Sequence, residues 1–351
     1  MSGNSEQERY QGLQGLRAFA ACLVLVQHSV YFSCLAAGTD TMGFRRLQLG
    51  ATGVFVFFVI SGSVMALATT NERANTFALL RLSRIYPAYF LALGIAYVVL
   101  STFGQPPQLT ADASLLLFPT GNLNSTFNVP YWTLIYEMQF YALLWLAILC
   151  GASHPVRMWL AVGWAAVILG ASAAGLNVPV LNPVATQIPF AAANLFFILG
   201  YVLASGTMTK DWKPFLALVC LSSVMILYAG AWSASLFALA ALCGSAVIGA
   251  IRIKTSLVPM WLSKAGDYSY GLYLIHMSLV VVIALSMSGW PLWTVIAATL
   301  FGGLLGGVMF GRLEQWFYFR YWRPMAKRGS IRESSLPRGH FSVTPIRPHQ
   351  R

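Results

Sequence analysis

Arg17 and His28 stand eleven residues apart in the apolar stretch LQGLRAFAACLVLVQHS. Eleven residues of α-helix make about three turns and about 16 Å, so both side chains project from one face at different depths. Glu137 lies inside a second apolar stretch, PYWTLIYEMQFY, and His276 inside a third, YSYGLYLIHMSL. Arg81 and Arg84, three residues apart in LLRLSRIYP, share one face of a helix. Ser61 sits in GVFVFFVISG, beside a glycine that permits close backbone approach. Ionisable groups in apolar surroundings are costly, and by default they mark a site. Each also has a structural alternative. Arg17 can snorkel, His28 and His276 can simply pack, Glu137 can belong to an internal ion pair, Arg81 and Arg84 can anchor a helix end, and Ser61 can bond back to its own helix.

The residue types point to group transfer. Two guanidiniums one turn apart suit phosphate, to which arginine makes bidentate contacts, and Arg17 adds a third cation at the same level. An imidazole is a suitable general base toward a hydroxyl. A carboxylate at Glu137 must be protonated, paired with a cation or facing a wet cavity. The pattern is a cationic cytosolic mouth leading to a histidine–carboxylate centre about halfway across a membrane. It suits carrying a reactive group from an anionic donor to an acceptor reached from the membrane or its far side. An acyl thioester of coenzyme A fits the donor role, with phosphates for the arginines and a good thiolate leaving group.

The elements that must position these groups are membrane helices. Of 351 residues, 58% are hydrophobic and only 9% charged, with a mean hydropathy of +0.67. A soluble domain carries about 25% charged residues, so a soluble enzyme, a nucleic-acid-binding module and a disordered chain are excluded as descriptions of the whole. About ten segments supply the roughly 20 apolar residues that a span needs. They lie near 14–34, 50–69, 84–104, 130–150, 157–175, 184–205, 214–229, 231–251, 268–288 and 291–311, and the 109–118 run is an interfacial extra. With the amino terminus inside, 19 of the 22 Lys and Arg residues fall inside, only Arg45 and Arg46 fall outside, and Arg17 is embedded. That asymmetry favours an even number of spans, and it explains the net charge of +12 by membrane orientation, with no nucleic-acid partner.

The expected architecture is all-α: a polytopic membrane protein of about ten transmembrane helices with both termini cytoplasmic. Residues 1–12 form a cytoplasmic segment, 13–325 the membrane domain, and 326–351 a basic, disordered cytoplasmic tail suited to retention or to contact with anionic lipid. The five cysteines are scattered without a CxxC pair and read as small hydrophobes in packed helices, and no metal site is expected.

At these residues the sequence resembles the bacterial acyltransferase family three, integral-membrane O-acyltransferases that modify exopolysaccharides, lipopolysaccharide O-antigen, Nod factors and some antibiotics. The resemblance covers roughly residues 12–325. Arg17 and His28 match the opening-span pattern of Arg or Lys, ten residues, then His. GVFVFFVISG is similar to a second-span GVDxFFxxSG, keeping Phe57, Phe58, Ser61 and Gly62. Arg81 and Arg84 match an RxxR motif. YWTLIYEMQFY is similar to WSLxxExxFY, keeping Trp132, Glu137, Phe140 and Tyr141, and DYSYGLYLIH matches a late SYxxYLxH at Ser269, Tyr273 and His276. Two positions depart: Phe55 replaces an Asp, and Ile135 replaces a common Ser. If that Asp orients the histidine in relatives, another group must do so here, and Glu137 is the candidate.

The resemblance implies a bacterial cytoplasmic-membrane O-acyltransferase. It would use acyl-CoA, most simply acetyl-CoA, as co-substrate with no tightly bound cofactor. The acceptor would be a sugar hydroxyl of an exopolysaccharide, a lipopolysaccharide or another lipid-linked glycan. His28 is then the general base or an acyl relay, Glu137 orients or charges it, and Arg17, Arg81 and Arg84 hold the donor's phosphates. Ser61, Trp132, Tyr136 and His276 are supporting candidates. No appended extracytoplasmic esterase-like domain is expected after the last span. The alternative is a proton-coupled transporter or flippase in which Arg17, His28 and Glu137 form a relay, but the paired Gly/Pro-broken helices such proteins often show are not found. A third reading is a non-catalytic scaffold for glycan assembly.

Overall fold

The structure, a computed structural model, describes residues 2–69, 73–104, 113–121, 129–229, 231–253 and 255–326. Ten apolar helices dominate it: α1 (Ser2–Ala36), α2 (Leu49–Ala68), α3 (Ala74–Thr102), α4 (Tyr131–Leu149), α5 (His154–Ala173), α6 (Asn194–Thr209), α7 (Lys213–Ala229), α8 (Ala231–Arg252), α9 (Met260–Ser286) and α10 (Leu292–Phe317). Eight are long and apolar enough to cross a membrane, which makes the chain a multi-pass membrane protein. The other two, α6 and α7, have 16 and 17 residues. They reach about 24–26 Å against a hydrocarbon core of about 30 Å.

Every expected span has its helix, and the differences lie at the ends. Helix α3 starts at Ala74, ahead of the expected 84, because the arginine-bearing turn ANTFALLRLSR continues the same helix, with Pro87 inside it. Helix α9 starts at Met260, ahead of 268, so His276 lies about 24 Å along it. Helix α6 starts only at Asn194, after a 3-10 turn, Ile188–Phe190, that carries Pro189. Polar and charged residues hide a helix start from a hydropathy reading, while proline-bearing apolar loops imitate one. Residues 2–12, expected as a separate segment, are already part of α1. From 327 the expected tail lies outside the described residues, as do 109–112 of the interfacial run, whose 113–116 form a 3-10 turn.

Helix α1 packs between α2, α9 and α10, α2 lies against α6, and α9 also meets α3. Small residues set these distances, as expected where lipid leaves van der Waals packing to drive helix association. A Cβ added at Gly62 of α2 would come 2.1 Å from the carbonyl oxygen of Phe197, and one at Gly200 of α6 2.0 Å from that of Val59. The backbones of α2 and α6 touch there, so the glycine after Ser61 fixes the helix that carries the serine.

Non-helical backbone covers the start of α4. Tyr86 of α3 donates to the carbonyl of Leu116 at 2.7 Å, Tyr131 donates to that of Phe118, and Tyr136 donates to that of Val180 at 3.0 Å. Thr120 and Val184 form an isolated bridge between the two covering segments. Irregular backbone is tolerated in a bilayer only where protein buries it and supplies such partners. Val129 and Tyr131 are buried under this cap, so protein covers the start of the helix that carries Glu137.

Candidate active site

Helices α1, α2, α3, α4 and α9 enclose a cavity of about 140 Å³. Arg17, Ser61, Arg81, Arg84 and Glu137 all line it, together with Phe57, Thr133, Tyr141, Tyr270 and Tyr273. The spacing explains the convergence. Thr133, Glu137 and Tyr141 recur every four residues on one face of α4, and Phe57 and Ser61 do so on α2. Glu137 Oε1 accepts hydrogen bonds from Ser61 Oγ at 3.1 Å and from Tyr141. Ser61 therefore bonds across to α4. The bond back to the helix is made instead by Ser63, whose hydroxyl reaches the carbonyls of Val59 at 2.9 Å and Gly200 at 3.1 Å.

The three guanidiniums differ in their company. Arg84 pairs with Glu314 of α10, is stacked over Tyr270 at 4.8 Å and Tyr318 at 4.9 Å, and keeps 25% of its side chain exposed. Arg81 lies over Phe77 at 5.6 Å and Tyr141 at 5.9 Å, and its buried Nε has no hydrogen-bond partner. Arg17 and Arg81 have no carboxylate within ion-pair distance among the described residues. Asp267, held by Gln14 at 2.9 Å, lies within electrostatic range of Arg17 and Arg84. Glu314 was missed by the sequence reading, which ended the last span at 311 and gave no role to the residues between that point and the tail at 326. Its side chain is 3% exposed and its Oε2 is buried without a partner. A lone acid in GGVMFGRLEQWF was the available signal.

His28 is not on the cavity wall. Its Nδ1 lies 3.0 Å from Nε2 of His276, and the ring centroids are 5.1 Å apart. The partner expected for it, Glu137, is occupied by Ser61 and Tyr141, so His276 takes that place. Tyr273 connects the two halves. It lines the cavity, bonds Thr133 Oγ1 at 2.8 Å, and sets its ring 5.9 Å from His276 on one side and 5.6 Å from Phe57 on the other. Phe55 stacks on Phe196 of α6 at 4.1 Å and 9°. An acid at that position would face α6, so Phe55 does not vacate a place beside His28. Ile135 is buried in the core. Trp132 and Tyr136, one residue off the Glu137 face, also lie outside the cavity; Trp132 packs edge to face with Tyr136 and with Phe58, and Tyr136 lies tilted against Phe58.

The sequence profile described as an acyltransferase domain matches residues 10–312. Acyltransferase MdmB of Streptomyces mycarofaciens is 28% identical over 312 residues, which cover 76% of this chain and 78% of that protein. Exopolysaccharide production protein ExoZ of Rhizobium meliloti (strain 1021) is 28% identical over 315 residues, 82% of this chain and 93% of its own. No solved structure matches.

Proposed function

Since the chain belongs to this acyltransferase family and is a multi-pass membrane enzyme, we propose that it moves an acetyl or other short acyl group from cytosolic acyl-CoA to a sugar hydroxyl of an exopolysaccharide or lipid-linked glycan. The membrane is the bacterial cytoplasmic membrane, with both chain ends and the arginine-bearing helix ends on the cytosolic side. The observation that carries the reading is the convergence of three arginines and one hydrogen-bonded carboxylate on a single cavity.

A cavity of about 140 Å³ is close to the roughly 150 Å³ that takes up one benzene molecule. It suits the acyl end of the donor, leaving the nucleotide and its phosphates at the mouth. Arg17 and Arg81 meet those phosphates with no competing ion pair, and Arg84 uses the donors that Glu314 leaves free. From Arg17 to His28 is about 16 Å along α1, a distance the extended arm of coenzyme A can bridge. The thioester then lies by Thr133 and Tyr273, next to the histidine pair. His28 takes the proton of the acceptor hydroxyl as its oxygen bonds to the acyl carbon. The carbon–sulfur bond breaks, and the departing thiolate takes the proton from His28. Ser61 and Tyr141 hold Glu137, whose carboxylate balances the guanidiniums that line the same cavity.

The test is purified protein in lipid nanodiscs with radiolabelled acetyl-CoA and extracted glycan. Label should pass to the glycan, and Arg81→Gln should raise KM for acetyl-CoA about tenfold with little change in kcat, since charge-assisted hydrogen bonds contribute about 1.5–3 kcal/mol. Absence of labelled glycan with every short acyl-CoA would overturn the proposal.

A further inference from the structure

The hydrogen bonds around the two histidines specify where each proton sits, and this deepens the reading above, on whose assignment of His28 it rests. His276 Nδ1 lies 2.7 Å from the carbonyl oxygen of Tyr273 and 3.2 Å from that of Leu272. Carbonyl oxygens only accept, so Nδ1 must carry a hydrogen; a lone pair there would face two others. The neutral ring then has its lone pair on Nε2. That atom is 3.0 Å from His28 Nδ1, so the hydrogen between them belongs to His28. With Nδ1 protonated, the lone pair of neutral His28 is on Nε2, on the side away from His276.

We infer that His276 is the positioning residue of the reaction: its Nδ1 is tied to its own helix, and its Nε2 holds His28 as the Nδ1–H tautomer with Nε2 free to accept the acceptor hydroxyl's proton. The same arrangement serves a nucleophilic Nε2, because both roles use that lone pair. The geometry disfavours the opposite state. A doubly protonated His276 would place a cation where the residue is 1% exposed and no carboxylate bonds either ring among the described residues. It would also donate to His28 Nδ1 and move the His28 proton to Nε2, leaving no base. After proton transfer, the His28 imidazolium still donates through Nδ1 to the lone pair of His276, so the orientation survives the step without rearrangement. His276 touches neither substrate in this scheme and acts through His28.

Two measurements test it. Nitrogen-15 NMR of ring-labelled histidine in the full-length protein, assigned by loss of signals in His28→Gln, should show a protonated Nδ1 and an unprotonated Nε2 for His28. A protonated Nε2 would overturn the inference whether or not the protein transfers acyl groups. In the transfer assay, His276→Gln keeps an acceptor oxygen near the position of Nε2, whereas His276→Phe keeps bulk without one. The glutamine variant should stay within about tenfold of the parent kcat, and the phenylalanine variant should fall about 10²-fold, with KM for acyl-CoA unchanged in both. Equal losses in two folded variants would show that His276 merely fills space. Failure of the parent itself to transfer acyl groups would count against the proposed function and leave the tautomer assignment to the NMR result.

Discussion

His28→Ala protein should reach the membrane, keep its melting temperature within a few degrees, bind acyl-CoA as the parent does, and transfer acyl groups about 10²–10⁴ times more slowly. Binding survives because the cavity wall carries Arg17, Arg81 and Arg84 but not His28. The imidazole is half-buried, and its hydrogen bond to a side chain is the one to His276, so truncation leaves the buried Nε2 of His276 without its donor, a loss of about 1–3 kcal/mol. Equilibrium binding of a labelled donor, measured beside single-turnover transfer, separates the two effects. Transfer at the parent's rate would remove His28 from the chemistry.

The pair between Arg84 and Glu314 should be the most sensitive point of the fold within the site. Arg84→Ala leaves Glu314, whose side chain is 3% exposed, without its cation, and breaking a buried pair in this way costs about 3–5 kcal/mol. The double replacement Arg84→Met/Glu314→Leu removes both charges together, and for such exchanges stability returns to near or above the parent's. Activity should not return with it, because the cation that borders both the cavity and Glu314 is gone. The single variant should therefore be poorly folded by detergent thermal shift, whereas the double variant should be well folded, with KM for acyl-CoA raised at least tenfold. A single variant as stable as the parent would show that Glu314 is satisfied by something other than Arg84.

Much of this site is legible in the residues, and the rest is hidden for identifiable reasons. Arg17, Ser61, Arg81, Arg84 and Glu137 stand out because polar groups in apolar helices are expensive, and the structure brings all five to one cavity. Helical periodicity assigns a residue to a face but does not say which helix that face meets. This is why His28 is set against His276 and not Glu137, and why Phe55 stacks on Phe196. Trp132 and Tyr136 are near neighbours of Glu137 in sequence, yet one residue is a rotation of about 100° on a helix, enough to take them off the cavity. Glu314 escaped because α10 runs six residues past the point where the apolar run ends. The cap was invisible for a related reason: its partners are backbone carbonyls, which every residue has.

The most direct test of the account is a structure with a non-transferable thioether analogue of acetyl-CoA bound. Phosphate oxygens are expected within hydrogen-bond distance of Arg17, Arg81 and Arg84, with the acyl end beside Thr133 and Tyr273, next to His28. An analogue seated elsewhere, with these three guanidiniums facing only protein, would contradict it.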